Sequence, residues 1–190
     1  MAEKGPDAAS IEDFVRAAGV ARGTFYNYFP TASDLLYALA ARVAGELDGW
    51  LDRATAAIED PAASLAAIMH IALEAFAGDP VRGWIAMQLA ISRAPRQHAL
   101  ETRFAKIYRA GVASGRFHDV EIGAAWSLAF GTVRMAQRDL MAGDATSPVP
   151  AEQLVALVLA AYGVPFDEAQ RISGSEGAAA RSGQHYAPVM

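Results

Sequence analysis

Apolar residues recur at three- to four-residue intervals along most of this chain, the spacing that lines one face of a helix. Ser10 precedes the apolar set Ile11, Phe14 and Val15, with Asp13 three residues on. A hydroxyl N-cap with an acidic third residue predicts the start of a short amphipathic helix. Ala18-Gly19-Val20 ends it: glycine takes the left-handed conformation that a tight turn needs, and Val20 then returns an apolar side chain to the core. A second short helix is predicted over 22–29 and stops before Pro30. Thr31 with Asp34 repeats the capping pattern ahead of Leu35, Leu36, Leu39, Val43, Leu47 and Leu51, a long connecting helix.

Beyond Pro61 the pattern predicts helices at 62–77, 80–94, 96–113, 121–142 and 151–163, separated by Gly-Asp-Pro, Ala-Pro, Ser-Gly and a proline-rich loop at 143–150. No two-residue alternation marks a strand, so the expected fold is all-α. From Arg171 to Met190 the chain is rich in Gly, Ser and Ala without periodicity, and 167–190 is read as a flexible tail.

Hydrophobic residues make up 53% of the 190 positions and charged residues 19%, enough apolar material for a real core. The absence of cysteine excludes a disulfide scaffold, a thiolate metal site and a cysteine nucleophile, and suits a reducing cytosol. MAEKGPDAAS lacks the basic-then-apolar layout of a secretory signal, and no apolar run approaches the roughly 18 residues that span a bilayer. A cytoplasmic protein with no membrane partner is expected. Net charge is −5, and within residues 1–30 Lys4, Arg16 and Arg22 face Glu3, Asp7, Glu12 and Asp13, so no basic patch announces nucleic acid. Enzyme chemistry finds little support. His70, His98, His118 and His185 are scattered, and neither Glu-x-x-His pairs, a phosphate loop nor a nucleophile elbow occurs. No cofactor or metal is expected.

Residues 10–29, SIEDFVRAAGVARGTFYNYF, have the layout of a helix-turn-helix, two short helices about a glycine turn. At about 100° per residue, Phe25 and Phe29 share one face of the second helix, with Gly23, Thr24 and Asn27 opposite. The run AAGVARGTFYNYFPTASDLLYAL resembles the signature of the TetR (tetracycline-repressor-like) family, in which Gly-Thr-aromatic-Tyr-x-Tyr/His-Phe precedes the linking helix. The likeness covers residues 1 to about 47. It implies that Arg22, Thr24 and Asn27 lie in the major groove while Tyr26 and Tyr28 flank it on phosphates, with Thr31 and the first amides of the linking helix as an anion site. Side-chain chemistry agrees: Arg pairs with guanine and Asn with adenine, hydroxyls suit phosphate oxygens, and Gly23 permits close backbone approach. Ser10 completes the expected DNA-binding set.

Several positions depart from the family pattern. Only Met1-Ala2-Glu3-Lys4-Gly5 matches the end of the usual first helix, so that helix reads as truncated, and a start codon assigned too far downstream is one expectation. Ala9, Ala21 and Ala32 stand where the family often has polar or basic residues. Weaker phosphate contact, hence weaker DNA binding than in relatives, follows. The rival reading is a dimeric small-molecule-binding protein that has lost DNA binding.

The resemblance implies a C-terminal ligand domain in which effector binding shifts the linking helix and changes the spacing of two reading heads. Met69, His70, Trp84, Met87, Phe104, Tyr108, Trp126, Phe130 and Arg134 form the candidate pocket, mixing aromatic, sulfur and few polar groups; each also serves as ordinary core, and a histidine on an apolar face is more often a hydrogen-bonded core residue than a sensor. Gly123, Ala124, Ser127, Gly131 and Ala161, beside Leu128, Leu154, Leu157 and Val158, permit close helix packing. By resemblance they form a homodimer interface through the last two bundle helices; on the residues alone they could equally be internal core. The resulting division is a DNA-binding domain at 1–47, a ligand and dimer domain at 48–166, and a tail at 167–190. The expected function is a repressor that a small apolar molecule releases from a pseudo-palindromic double-stranded operator.

Overall fold

A computed structural model describes residues 11–74, 97–142 and 150–181. These residues are all-helical, with eight helices and no strand among them: α1 (Ile11–Ala18), α2 (Arg22–Tyr28), α3 (Ala32–Thr55), α4 (Pro61–Glu74), α5 (Gln97–Ala113), α6 (Ile122–Ala142), α7 (Ala151–Ala161) and α8 (Phe166–Arg181). The expected helix at 80–94 and the loop at 143–149 lie outside the described residues.

The first turn forms as its glycine dictates. Gly19 has φ +64°, its N–H donates to the Arg16 carbonyl at 3.3 Å, and the Val20 N–H donates to Val15 at 3.2 Å. This crossed pair closes the C-terminus of α1. Val20 does not return to the core as expected. It is 42% exposed, because the turn hands the chain to α2 at the surface.

Helix α3 opens with a complete capping box: the Asp34 N–H donates to Thr31 Oγ1 at 3.2 Å, and the Thr31 N–H donates to Asp34 Oδ2 at 2.9 Å. Its 24 residues run for about 36 Å. Val43, Trp50 and Leu51 are buried against Ile68 and Ile71 of α4, with Leu39, Leu47, Leu100 and Ile107 at the margin. Arg103 of α5 reaches across to Asp52 of α3 at 2.7 Å and lies 4.0 Å from Asp48. One end of α3 is therefore anchored in the C-terminal bundle while the other carries the two short helices.

Helix α4 buries Ala62, Leu65, Ala66, Met69, Ile71 and Leu73 around nearly its whole circumference, the mark of a central helix. Helices α3, α5, α6, α7 and α8 all pack on it. Beside it runs an aromatic layer. Phe117 stacks on Tyr108, Tyr108 on Phe104, and Tyr162 meets all three edge-on at centroid distances of 5.2 to 6.5 Å. The Tyr162 hydroxyl donates to the Ala125 carbonyl, and burial pushes its pKa up.

The expected flexible tail is, for its first part, helix. Ala169, Ser173 and Gly177 recur every fourth residue and are buried where α8 lies on α4 and α7. A Cβ at Gly177 would come within 2.9 Å of the His70 ring. The small residues that suggest looseness in the sequence are the ones that let two helices approach. Residues 182–190 lie outside the described residues.

One ionic clasp joins three distant segments. Arg116, after α5, donates through Nε and Nη2 to both oxygens of Asp60 at 3.0 Å, and through Nη2 to Glu168 of α8 at 2.8 Å. Asp60 also caps α4 by accepting from the Ala62 N–H. The Arg116 guanidinium holds both carboxyls below their ordinary values. A depressed folded pKa gives stability that is present above the unfolded value and is lost as pH falls through the folded one. Arg116→Gln should therefore lower the melting temperature by roughly 5 °C near neutral pH. In melts at stepped pH, the gap to the parent should narrow as pH falls below the ordinary carboxylate range and close once both carboxyls are protonated; a gap that persists there would show the loss to be steric.

Candidate functional site

Two features at opposite ends of α3 draw attention. The first is the α1–turn–α2 head. Phe25 is 6% exposed and packs on Phe29 at 5.8 Å, anchoring the inner face of α2. Gly23, Thr24, Tyr26, Asn27 and Tyr28 are all exposed, Tyr28 at 76%. Arg22 and Thr31 are exposed as well. A Cβ at Gly23 would meet nothing within 4 Å, so the backbone there is open to a large partner. Ser10 lies outside the described residues.

The electrostatics of this head are mixed. Arg22 pairs with Glu12 of α1 at 3.0 Å and lies 5.8 Å from the Tyr26 ring centroid. A base contact by its guanidinium has to compete with a carboxylate. Ala21 occupies the N-cap of α2 and makes no side-chain cap. At Thr31 the hydroxyl donates to Asp34 Oδ2 at 2.7 Å and accepts from the Asp34 amide, so both its roles are filled within the capping box. Tyr37, one turn along α3, is 63% exposed on the same head. Sequence reading passed over it, although it breaks the apolar stripe at a position where an aromatic has no core to enter.

The second feature is a cavity of about 100 Å³ between α3, α4, α5 and α6. Leu47, Leu65, Ile68, Met69 and Leu100 give it aliphatic and thioether walls, and Phe104, Trp126 and Phe130 give it aromatic ones. Trp126 stacks on Phe130 at 4.8 Å and meets Phe104 at 5.4 Å. Its polar lining, among the described residues, is Arg134 and Gln137 of α6. Arg134 Nη1 is buried without a hydrogen-bond partner, and burial lowers the guanidinium's pKa. An arginine nonetheless stays charged.

Of the candidate pocket residues, Met69, Phe104, Trp126, Phe130 and Arg134 meet at this cavity. Tyr108 and His70 do not line it. Tyr108 sits in the aromatic layer with its hydroxyl donating to the His118 carbonyl at 2.8 Å. His70 faces α8: the Ser173 hydroxyl donates to the Glu152 carbonyl at 2.8 Å, so at 3.1 Å its oxygen accepts from His70 Nε2. Trp84 and Met87 lie outside the described residues. Leu47 and Gln137 went unnoticed in the sequence, the one as part of the core-facing stripe of α3 and the other as a polar helix residue.

Among the described residues no helix is long and apolar enough to cross a membrane, and no group of three His, Asp or Glu could hold a metal. The exposed apolar surface includes Leu128 and Met135 of α6, seven residues apart, and Leu157 of α7. Gly123, Ala124, Ser127, Gly131 and Ala161 are exposed on the same two helices.

Comparison with known proteins agrees with this layout. The family described as bacterial regulatory proteins, tetR family, matches residues 1–39. The uncharacterized HTH-type transcriptional regulator YvdT of Bacillus subtilis (strain 168) is 52% identical over 40 residues, a stretch covering 21% of each protein. Among solved structures, RolR in complex with resorcinol matches with a TM-score of 0.62 at 24% identity, covering 91% of this chain and 86% of that one. RolR without ligand gives 0.61 at 23%, covering 92% and 90%. At that identity the likeness establishes the fold, and the family match is confined to the N-terminal segment. The segment that holds α1 and α2 thus matches the tetR family of bacterial regulatory proteins, over residues 1–39.

Proposed function

We propose that the protein is a ligand-responsive repressor of the cytoplasm, released from a pseudo-palindromic DNA operator when a small apolar molecule occupies the cavity. The observation that carries this reading is the placement of α3. Thr31 and Asp34 fix its first turn beside the reading helix, and Leu47 of the same helix is a cavity wall. A ligand that pushes on Leu47 acts on the rigid element that carries the head. Such coupling requires only that the ligand bind one placement of α3 better than the other.

In this reading residues 1–47 read DNA, with Arg22, Thr24 and Asn27 toward bases and Tyr26, Tyr28 and Tyr37 toward phosphates. Residues 48–166 hold the ligand and the dimer contact, and α8 belongs with them. Two copies join through α6 and α7, where Leu128, Met135 and Leu157 offer apolar side chains between small residues. The crystallised complex of RolR with resorcinol supports a small aromatic effector for the same architecture.

Fluorescence anisotropy of DNA from upstream of the protein's own gene, with nonspecific competitor and stepped salt, tests the reading. Specific, salt-sensitive binding is expected. Dimers that bind no DNA, yet bind ligand, would favour the small-molecule-binding protein instead, for which the Glu12–Arg22 pair and the uncapped Ala21 already argue.

A further inference from the structure

The two polar residues of the cavity make opposite demands. Arg134 Nη1 can only donate, and it is buried without an acceptor. Gln137 is oriented by its neighbour: the Ala72 carbonyl can only accept, so the group 2.7 Å from it is the amide nitrogen. The carbonyl oxygen of Gln137 is thereby left as an acceptor, and the one hydrogen bond that the side chain makes among the described residues runs through its nitrogen. Three residues apart on α6, the two side chains share one helix face. The remaining walls are apolar or aromatic, and no carboxylate lines the cavity among the described residues.

We propose that the cavity selects a single aromatic ring bearing a hydroxyl group, a phenol, whose oxygen accepts from Arg134 Nη1 while its proton is donated to Gln137 Oε1. This rests on the reading of the cavity as the effector site. A hydroxyl is the simplest group that both accepts and donates. A carboxylate satisfies Arg134 but sets its charge against the Gln137 carbonyl. A protonated or neutral amine serves Gln137 and leaves the guanidinium unmet, and a hydrocarbon serves neither. Size sets an upper limit: the cavity measures about 100 Å³, below the roughly 150 Å³ of an apolar cavity that takes up benzene, so nothing larger than one ring is admitted and the walls must give to admit that. Trp126, Phe130 and Phe104 supply faces and edges against which one ring packs. Beside a guanidinium the hydroxyl's own proton is loosened, which strengthens its bond to Gln137.

Calorimetric titration and thermal shift of the full chain with phenol, toluene, aniline and benzoate at neutral pH test this. Phenol is expected to bind about tenfold to a hundredfold more tightly than toluene, with aniline and benzoate also weaker than phenol. In Arg134→Met the preference of phenol over toluene should fall to about twofold or less, with toluene binding retained. Toluene binding as tightly as phenol, or benzoate binding more tightly, would overturn the hydroxyl assignment and leave the cavity as an effector site. Binding of none of the four would overturn both. The panel on the unaltered chain decides the matter even where Arg134→Met fails to fold.

Discussion

Gly23→Ala is expected to raise the melting temperature slightly while weakening specific DNA binding by at least about tenfold, two effects of opposite sign from one methyl group. Gly23 lies inside α2, where alanine is the better helix former by about 1 kcal/mol. Nothing in the protein stands within 4 Å of the added Cβ, so the fold loses nothing. Over a chain of this size the gain is roughly 2–4 °C. On the outer face the methyl enters the space that DNA would occupy, and lost close approach costs on the order of one good base contact. Melting curves and anisotropy on the same preparation read both effects. Unchanged affinity would mean that this face of α2 does not meet DNA.

Gly111→Ala is expected to be the most damaging small substitution in the described bundle. A Cβ there would overlap the ring of Phe117, which is 5% exposed and stacked 5.6 Å from Tyr108. The ring has no way out, since Tyr162 closes its other side at 5.7 Å. Nor can the backbone yield: the Gly111 carbonyl accepts from the Arg116 and Phe117 amides at 2.7 and 3.0 Å. Overpacking of this kind costs about 3 kcal/mol or more, a fall in melting temperature of roughly 6–12 °C. Gly174→Ala, half-buried on α8 with open space around its Cβ, is the control and should melt at or above the parent. Equal melting of the two variants would contradict the packing of the aromatic layer.

What the sequence disclosed and what it hid divide along a physical line. Local chemistry was legible. The Thr31–Asp34 capping box, the left-handed turn at Gly19 and the anchoring by Phe25 depend on neighbours within four residues, and all are present. Positions whose partners come from distant segments were not. Tyr108 and Phe104 sit four residues apart on one helix, yet Phe104 faces the cavity while Tyr108 is held by His118; periodicity assigns them the same face and cannot say what lies across it. His70 is claimed by Ser173, 103 residues away. The same blindness hid α8, because Ala169, Ser173 and Gly177 are poor helix signals taken alone and become a contact surface only once α4 is in place. Val20 misled in the opposite direction: an apolar residue after a turn suggests a core that the turn's geometry does not reach.

The pattern also bears on mechanism. Leu47 is read from sequence as one more apolar residue of a long helix, and in the fold it borders both the α3–α4 core and the cavity. Arg103 ties α5 to Asp52 of α3, and its neighbour on that helix, Phe104, is a cavity wall. In the proposed reading, a change in cavity occupancy would reach α3 by direct packing and through the Arg103–Asp52 ion pair, without a chain of intermediate residues.

The most direct test is operator release. Anisotropy of the specific DNA complex at fixed salt is followed while phenol, or whichever of the small aromatics calorimetry shows to bind, is titrated to saturation. The account predicts that the complex dissociates over the same concentration range in which the cavity fills, with the DNA Kd rising about fivefold or more. A DNA complex that stays intact while the cavity is saturated would contradict it.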